Sequence, residues 1–302
     1  MEESTTGVCF FMNIGEKIKK LRTAKLMTQS ELVGNEITRN MLSRIENGSA
    51  NPSLETVCYI ASRLNVSPGF LLAEEGDEQI YFKHSEIVGI KKALMNEDYR
   101  ICRDICLKSD SVEDDEIQLI LSECNLAIAK EEFFRGNLRV SCEFFDQTIE
   151  CCEKTLYRTD HLVAEVGLYF RYMRQISATL SSNMIDEEEV NVYPALVNDF
   201  CRYALSFASF EEKGDAGEWM QIETQKSAYT LHLAAKTCMR EGNYEQAYEH
   251  LHEILRDEFS FPEPMLYFVF CDLEICCRET QDFKGAYEYS IDKLELLQKL
   301  LT

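Results

Sequence analysis

The 302-residue chain lacks any run of 18 uncharged apolar residues, the length at which a helix begins to span a bilayer. Its first residues also lack a basic stretch followed by an apolar one, the mark of a secretory signal; Glu2 and Glu3 stand there instead. These absences predict a cytoplasmic protein with no membrane partner. Proline is scarce, at five residues, with none between Pro68 and Pro194, so long helices are permitted there. Strand-like alternation is missing after residue 79, where apolar residues recur with a 3.6-residue period. The predicted fold class is all-α.

Paired metal-binding motifs are also missing. The thirteen cysteines are odd in number and sit singly, or as Cys151-Cys152 and Cys276-Cys277, inside helical patterns. Cys102-x3-Cys106 has no second pair of matching form, so no metal site is predicted and the cysteines read as thiols packed like small hydrophobes. No glycine-rich phosphate loop occurs. His84, His161, His232, His250 and His252 have no nucleophile or carboxylate at a recognisable spacing, and His250 and His252 cannot share a helix face. These histidines read as packing or surface residues. The sequence therefore predicts no catalytic residue, no cofactor and no enzymatic activity.

Basic residues are in deficit, 31 against 53 acidic, for a net charge of −22. The deficit is uneven. Residues 13–72 carry eight basic residues and five acidic ones, a net of +3, whereas residues 73–302 carry −23. An acidic body repels nucleic acid at long range, so DNA contact, if made, is confined to the face of the first segment. The length also exceeds one typical domain, and two are expected.

Residues 1–12 show no helical period and read as a disordered extension or an over-extended gene start. Beyond them, "NIGEKIKKLRTAKL" places Ile14, Ile18 and Leu21 on one helix face. "TQSEL" offers Thr28 as N-cap with Glu31 three residues later, the capping-box spacing, with Leu32 inward. Thr38 then caps a third helix in which Leu42 and Ile45 are buried and Arg39, Asn40, Ser43 and Arg44 point outward; Asn47-Gly48 ends it. A fourth helix, capped by Ser53, repeats apolar residues at Leu54, Val57, Ile60, Ala61 and Leu64, and a fifth starts at Pro68. Glu46 reads as the structural partner of a nearby helix N-terminus.

Five short helices in about 60 residues, the second and third joined by a tight turn, describe a helix-turn-helix module over residues 13–73. The stretches "TQSEL", "TRNMLSRIENG", "NPSLETVCYIASRLNV" and "FLL" resemble the Cro/CI-type, or xenobiotic-response-element, helix-turn-helix family. The turn "VGNEI" is about one residue shorter than that family's, which ends the second helix at Gly34. The resemblance implies double-stranded DNA as partner, with Arg39, Asn40 and Arg44 at base-contacting positions and Gln29, Thr38 and Asn47 at phosphate-holding ones; Ser43 shares the face. The chemistry fits. Arg donates two bonds to guanine, Asn pairs with adenine, and helix N-termini bind phosphate.

Residues 74–79 read as a short charged linker and 80–302 as a repeat domain. Four places share an aromatic residue or Leu after a polar turn, then a small residue three on: Tyr99/Cys102, Leu138/Ser141, Tyr244/Ala247 and Phe283/Ala286. The gap of 106 residues between the second and third predicts two further degenerate units over 160–212, and five or six helical hairpins in all. Ala129 and Ala235, nine residues before Leu138 and Tyr244, occupy small positions on first helices; Ile90 and Glu274 stand at the equivalent places. The pattern resembles the tetratricopeptide repeat, which implies a right-handed helical solenoid whose concave face suits an extended peptide. Asn125 and Asn198, placed mid-helix, and Arg171 and Arg174 are the peptide-binding candidates. Tyr169, Phe170 and Tyr172 read as core.

A Cro/CI-type module followed by tetratricopeptide-like repeats resembles the RRNPP regulators, Rgg- and PlcR-type among them. That resemblance implies a homodimer formed through the repeat domain and control of transcription by a short signalling peptide. A regulator whose repeats bind a protein partner is the alternative.

Overall fold

The structure is a computed structural model and describes residues 13–73, 78–109, 111–182, 198–213, 226–256 and 259–302. Its described elements are helical, and the chain divides into two compact units, Met1–Lys91 with Ser109–Ser111, and Lys92–Lys108 with Val112–Thr302. Residues 1–12 lie outside the described part.

The first unit contains α1 (Ile14–Ala24), α2 (Gln29–Val33), α3 (Arg39–Glu46), α4 (Leu54–Leu64) and α5 (Pro68–Leu72). Each starts where side-chain chemistry supplies a cap. Thr28 Oγ1 accepts from the Glu31 N–H, and the Glu31 carboxylate accepts from the Thr28 N–H at 2.6 Å. Asn13 and Glu16 form the same reciprocal box on α1, and Thr38, Ser53 and Ser67 cap α3, α4 and α5. The core is Ile18, Leu32, Leu42, Ile45, Val57, Ile60, Leu64 and Leu71. Leu54 departs from the periodic pattern: at the edge of the apolar stripe it is 68% exposed, while Thr56 and Val57 of the same turn are buried. Gly15 lets α1 approach α3, since a Cβ there would lie 1.9 Å from the Ile45 carbonyl oxygen.

The short α2 does end at Gly34, whose φ is +51°. Two side chains of α4 stabilise that early end. Tyr59 Oη donates to the Val33 carbonyl at 2.9 Å, and Arg63 donates to the Glu31 carbonyl at 2.6 Å. Carbonyls that a longer helix would bond internally thus find partners across the bundle.

The linker expected over 74–79 falls partly outside the described residues, and α6 (Glu78–Met95) opens within it. The second unit then holds α7 (Tyr99–Lys108), α8 (Asp115–Phe134), α9 (Leu138–Lys154), α10 (Asp160–Ile176), α11 (Asp199–Lys213), α12 (Ala228–Arg240), α13 (Tyr244–Arg256), α14 (Met265–Glu279) and α15 (Phe283–Leu301). The four repeat positions Tyr99, Leu138, Tyr244 and Phe283 are the first residues of α7, α9, α13 and α15. Cys102, Ser141, Ala247 and Ala286, three residues on, are buried.

One turn recurs before each of these helices. Glu97, Gly136, Gly242 and Gln281, two residues upstream, all have positive φ, between 60° and 82°. The next N–H reaches back five residues in every case: Asp98 to Ala93, Asn137 to Glu132, Asn243 to Cys238 and Asp282 to Cys277, at 2.8–3.0 Å. This is the Schellman arrangement that stops a helix and reverses the chain. Across the α8/α9 hairpin, the Ser141 hydroxyl donates to the Ala129 carbonyl at 2.9 Å, so two small positions meet. Glu274 at the equivalent place in the α14/α15 hairpin is accommodated differently, through ion pairs to Lys293 and Arg278.

Two units were expected over 160–212. The described residues there supply one helix pair, α10 and α11, with 183–197 between them outside the described part. Tyr169, Phe170 and Tyr172 are core, Tyr169 stacking on Phe200 and packing edge-on to Phe133. None of the twelve described cysteines is in a disulfide.

Candidate functional site

The third helix presents its polar side as the sequence predicts. Leu42 and Ile45 are buried, Arg39, Asn40, Arg44 and Asn47 are exposed, and Ser43 is half-buried. Thr38 Oγ1 accepts from the Met41 N–H at 3.2 Å, which leaves the side chains of Arg39 and Asn40 at the outward start of the helix. Asn47 closes it, its N–H bonded to the Ser43 carbonyl at 3.1 Å.

Glu46 is a structural partner, as expected, but through side chains and not through the N–H groups of a helix N-terminus. Its carboxylate is buried and accepts from Arg22 Nε at 2.7 Å, from Arg22 Nη2 at 3.1 Å and from Gln29 Nε2 at 2.8 Å. Its partners are thus side chains of α1 and α2, with no helix N-terminus among the bonds. The hydrogen bond to Glu46 raises the Arg22 pKa above its ordinary value, against the opposing effect of burial. Gln29 is held by one end, and its Oε1 faces Arg39 Nε at 3.4 Å. A chain of contacts therefore runs from α1 through Glu46 and Gln29 to the exposed start of α3. Arg22 is the member that sequence reasoning missed, since 24 residues separate it from Glu46 and no local pattern joins them.

The second unit contains a cavity of about 890 Å³ lined by Arg171 and Arg174 of α10, Phe207 and Glu211 of α11, Lys236 of α12, and Phe268 and Asp272 of α14, among others. Two of the four peptide-binding candidates, Arg171 and Arg174, meet there. The two asparagines do not line it. Asn125 is buried on α8, accepting from Arg103 Nε at 2.8 Å. Asn198 is not mid-helix: it precedes α11 and caps it, accepting from the Cys201 N–H at 2.8 Å while donating to Glu165 at 2.9 Å.

Behind the cavity lies a polar chain that sequence spacing did not reveal. Tyr203 Oη is 2.7 Å from His232 Nδ1, and His232 Nε2 is 3.0 Å from Asp272 Oδ2. Asp272 Oδ1 is 3.4 Å from Lys236 Nζ, which also pairs with Glu211 at 2.7 Å. Burial works to lower the Lys236 pKa, but Asp272 and Glu211 outweigh it and hold the ammonium above its ordinary value. Lys236 also lies 5.6 Å from the Phe207 ring centroid, with Phe268 4.8 Å from Phe207. The cavity thus combines one fixed ammonium, two arginines and the carboxylates of Glu211 and Asp272 with two aromatic walls. His232 is a fully buried packing residue, as expected, but one with a carboxylate partner 40 positions away.

Among the described residues, no group of three or more His, Cys, Asp or Glu side chains could hold a metal ion, and no helix is long and apolar enough to cross a membrane. No curated protein matches the chain. Solved structures similar along its length include the following three. PlcR of Bacillus thuringiensis in complex with the peptide PapR7 and DNA is 14% identical over 95% of each chain, with a TM-score of 0.26. A bacterial peptide pheromone/receptor complex is 13% identical over 96% of this chain and 93% of that one, with a TM-score of 0.24. The apo competence regulator ComR of Streptococcus vestibularis is 20% identical over 94% of this chain and 97% of that one, also at 0.24. Residues 18–71 match the family model described as helix-turn-helix, a span that runs from within α1 to within α5. The first unit therefore carries a helix-turn-helix domain of the kind its sequence resembles.

Proposed function

We propose that the chain is a DNA-binding transcription regulator of the cytoplasm, working as a homodimer through its repeat unit and controlled by a short peptide held in the α10–α14 cavity. The observation that carries the DNA reading is the outward start of α3, where Arg39 and Asn40 are exposed and Arg39 stands beside a Gln29 fixed by Glu46. Arg and Asn at the N-terminal turn of a recognition helix suit base edges in the major groove. Gln29 at the first turn of α2, Thr38 at the cap of α3 and Asn47 at its end suit phosphates on either side, with Ser43 and Arg44 further along the same face.

The peptide reading rests on the cavity. Arg171 and Arg174 place two guanidinium groups on the lining beside the Lys236–Glu211–Asp272 ion pairs, and Phe207 and Phe268 supply apolar walls, a mix of charge and apolar surface that suits a short peptide. A broad protein partner would call for a flat apolar face there, which this lining does not supply. A peptide that fits one dimer geometry better than another shifts the population between them, and so changes how the two recognition helices meet half-sites.

Selection of bound duplexes from a random DNA pool by the full chain tests the reading. Enrichment of a two-fold symmetric site is the expected result. Recovery of sequences at random, at any salt concentration that permits binding, would overturn it.

A further inference from the structure

The last described helix is apolar on two sides. Ala286, Leu296 and Leu300 of α15 are buried within the unit, yet Phe283, Tyr287, Ile291 and Leu294 are 71%, 68%, 37% and 58% exposed. At 3.6 residues per turn these four fall within an arc of roughly 80°. They form one stripe along the helix, and a continuous exposed stripe marks an interaction surface where single scattered residues would not.

The stripe is nearly palindromic. Turned end for end, Phe283 comes opposite Leu294 of an identical helix and Tyr287 opposite Ile291. Charge follows the same symmetry. Lys284, 87% exposed, and Glu295, also exposed, lie on the same edge of the stripe, one near each end. An antiparallel partner brings Lys284 against Glu295 of the second copy, twice over, whereas a parallel one puts the charged edges of the two copies on opposite sides of the seam, where neither Lys284 nor Glu295 meets the other. Among the described residues Lys284 pairs with Glu288, at 3.5 Å and on the exposed surface, a weak pair that an intersubunit one can replace.

We infer that α15 packs antiparallel on α15 of a second copy of this chain, about a two-fold axis passing between Tyr287 and Ile291. The contact is isologous, so the same patch serves both subunits and assembly closes at two. This inference rests on the homodimer proposed above and names its seam.

Sedimentation of the full chain over a range of concentrations tests it, with Leu294→Glu, Lys284→Glu, Glu295→Lys and the double variant K284E/E295K. All the substituted side chains are exposed, and circular dichroism confirms that each variant keeps its helix content. The expected result is a wild-type dimer, a dissociation constant at least tenfold higher for each single variant, and recovery of most of that loss in the double variant. A wild-type dimer unaffected by Leu294→Glu would overturn the seam while leaving the homodimer in place. A wild-type monomer at every concentration would overturn both. Weakening by Leu294→Glu without recovery in the charge swap would overturn the antiparallel arrangement.

Discussion

Arg22 Nε lies 2.7 Å from Glu46 Oε1, and the Glu46 side chain is only 2% exposed. The pair ties the last turn of α1 to the last residue of α3, and through Gln29 it also reaches the start of α2. One buried carboxylate thereby sets the mutual placement of the three helices that form the proposed DNA-reading face.

Removing that carboxylate leaves the Arg22 guanidinium largely buried with one remaining bond, to the Met27 carbonyl at 2.7 Å. Glu46→Ala is expected to cost about 3 kcal/mol of stability, at the lower end for a buried pair that loses one partner. Urea denaturation of the full chain, followed by the transition of the first unit, measures it. A loss below about 0.5 kcal/mol would show the pair to be worth no more than a surface one.

On DNA, Arg39→Ala and Asn40→Ala should each relax preference at one base position by about 1–3 kcal/mol, whereas Gln29→Ala should weaken binding to all sequences alike. Titration of a selected site and its single-base variants separates the two behaviours. Equal loss of preference from all three substitutions would reject the assignment of base and phosphate roles.

Glu97 and Gln281 occupy a left-handed turn position that Gly136 and Gly242 fill elsewhere in the repeat. A side chain there costs about 1 kcal/mol relative to glycine. Glu97→Gly and Gln281→Gly should therefore raise stability slightly, by up to about 1 kcal/mol once the greater freedom of glycine in the unfolded chain is subtracted. Gly242→Ala, with open space around its Cβ, should lower it by backbone strain alone. Thermal melts of the three variants check the signs.

The Glu31 carboxyl is held below its ordinary value, chiefly by the hydrogen bond from the Thr28 N–H. A carboxyl depressed in the folded state adds stability that is present above its unfolded pKa and lost as pH falls through the folded one. In Glu31→Gln, which can still cap, the acid-side decline in stability should be shallower than in the wild type. Melting temperatures measured from pH 6 down to pH 3 give the comparison, and parallel profiles would reject it.

Local chemistry made much of the fold legible. Thr28 with Glu31, Thr38 before Arg39, and the small residue three positions into α7, α9, α13 and α15 are decided by neighbours within a few residues, and each stands where the sequence places it. Leu54 misled because it stands at the edge of the apolar stripe, where spacing alone does not say how far the core reaches round the helix; Thr56 and Val57 of the same turn are buried. Asn198 misled for a related reason: the same side chain that disfavours a helix interior favours the cap, and the sequence around it did not mark where α11 begins.

What the sequence determined by itself is whatever short-range forces settle: the helix-turn-helix order, the outward Arg39, Asn40 and Arg44, and the register of the repeats. What only the tertiary structure decided are the meetings of distant residues. Arg22 and Glu46 join across 24 positions, His232 and Asp272 across 40, and the cavity draws its lining from Arg171 to Asp272. Side chains on helices far apart in sequence come together because packing apolar faces fixes the helices against each other, and buried polar groups then take the partners that this packing brings within reach.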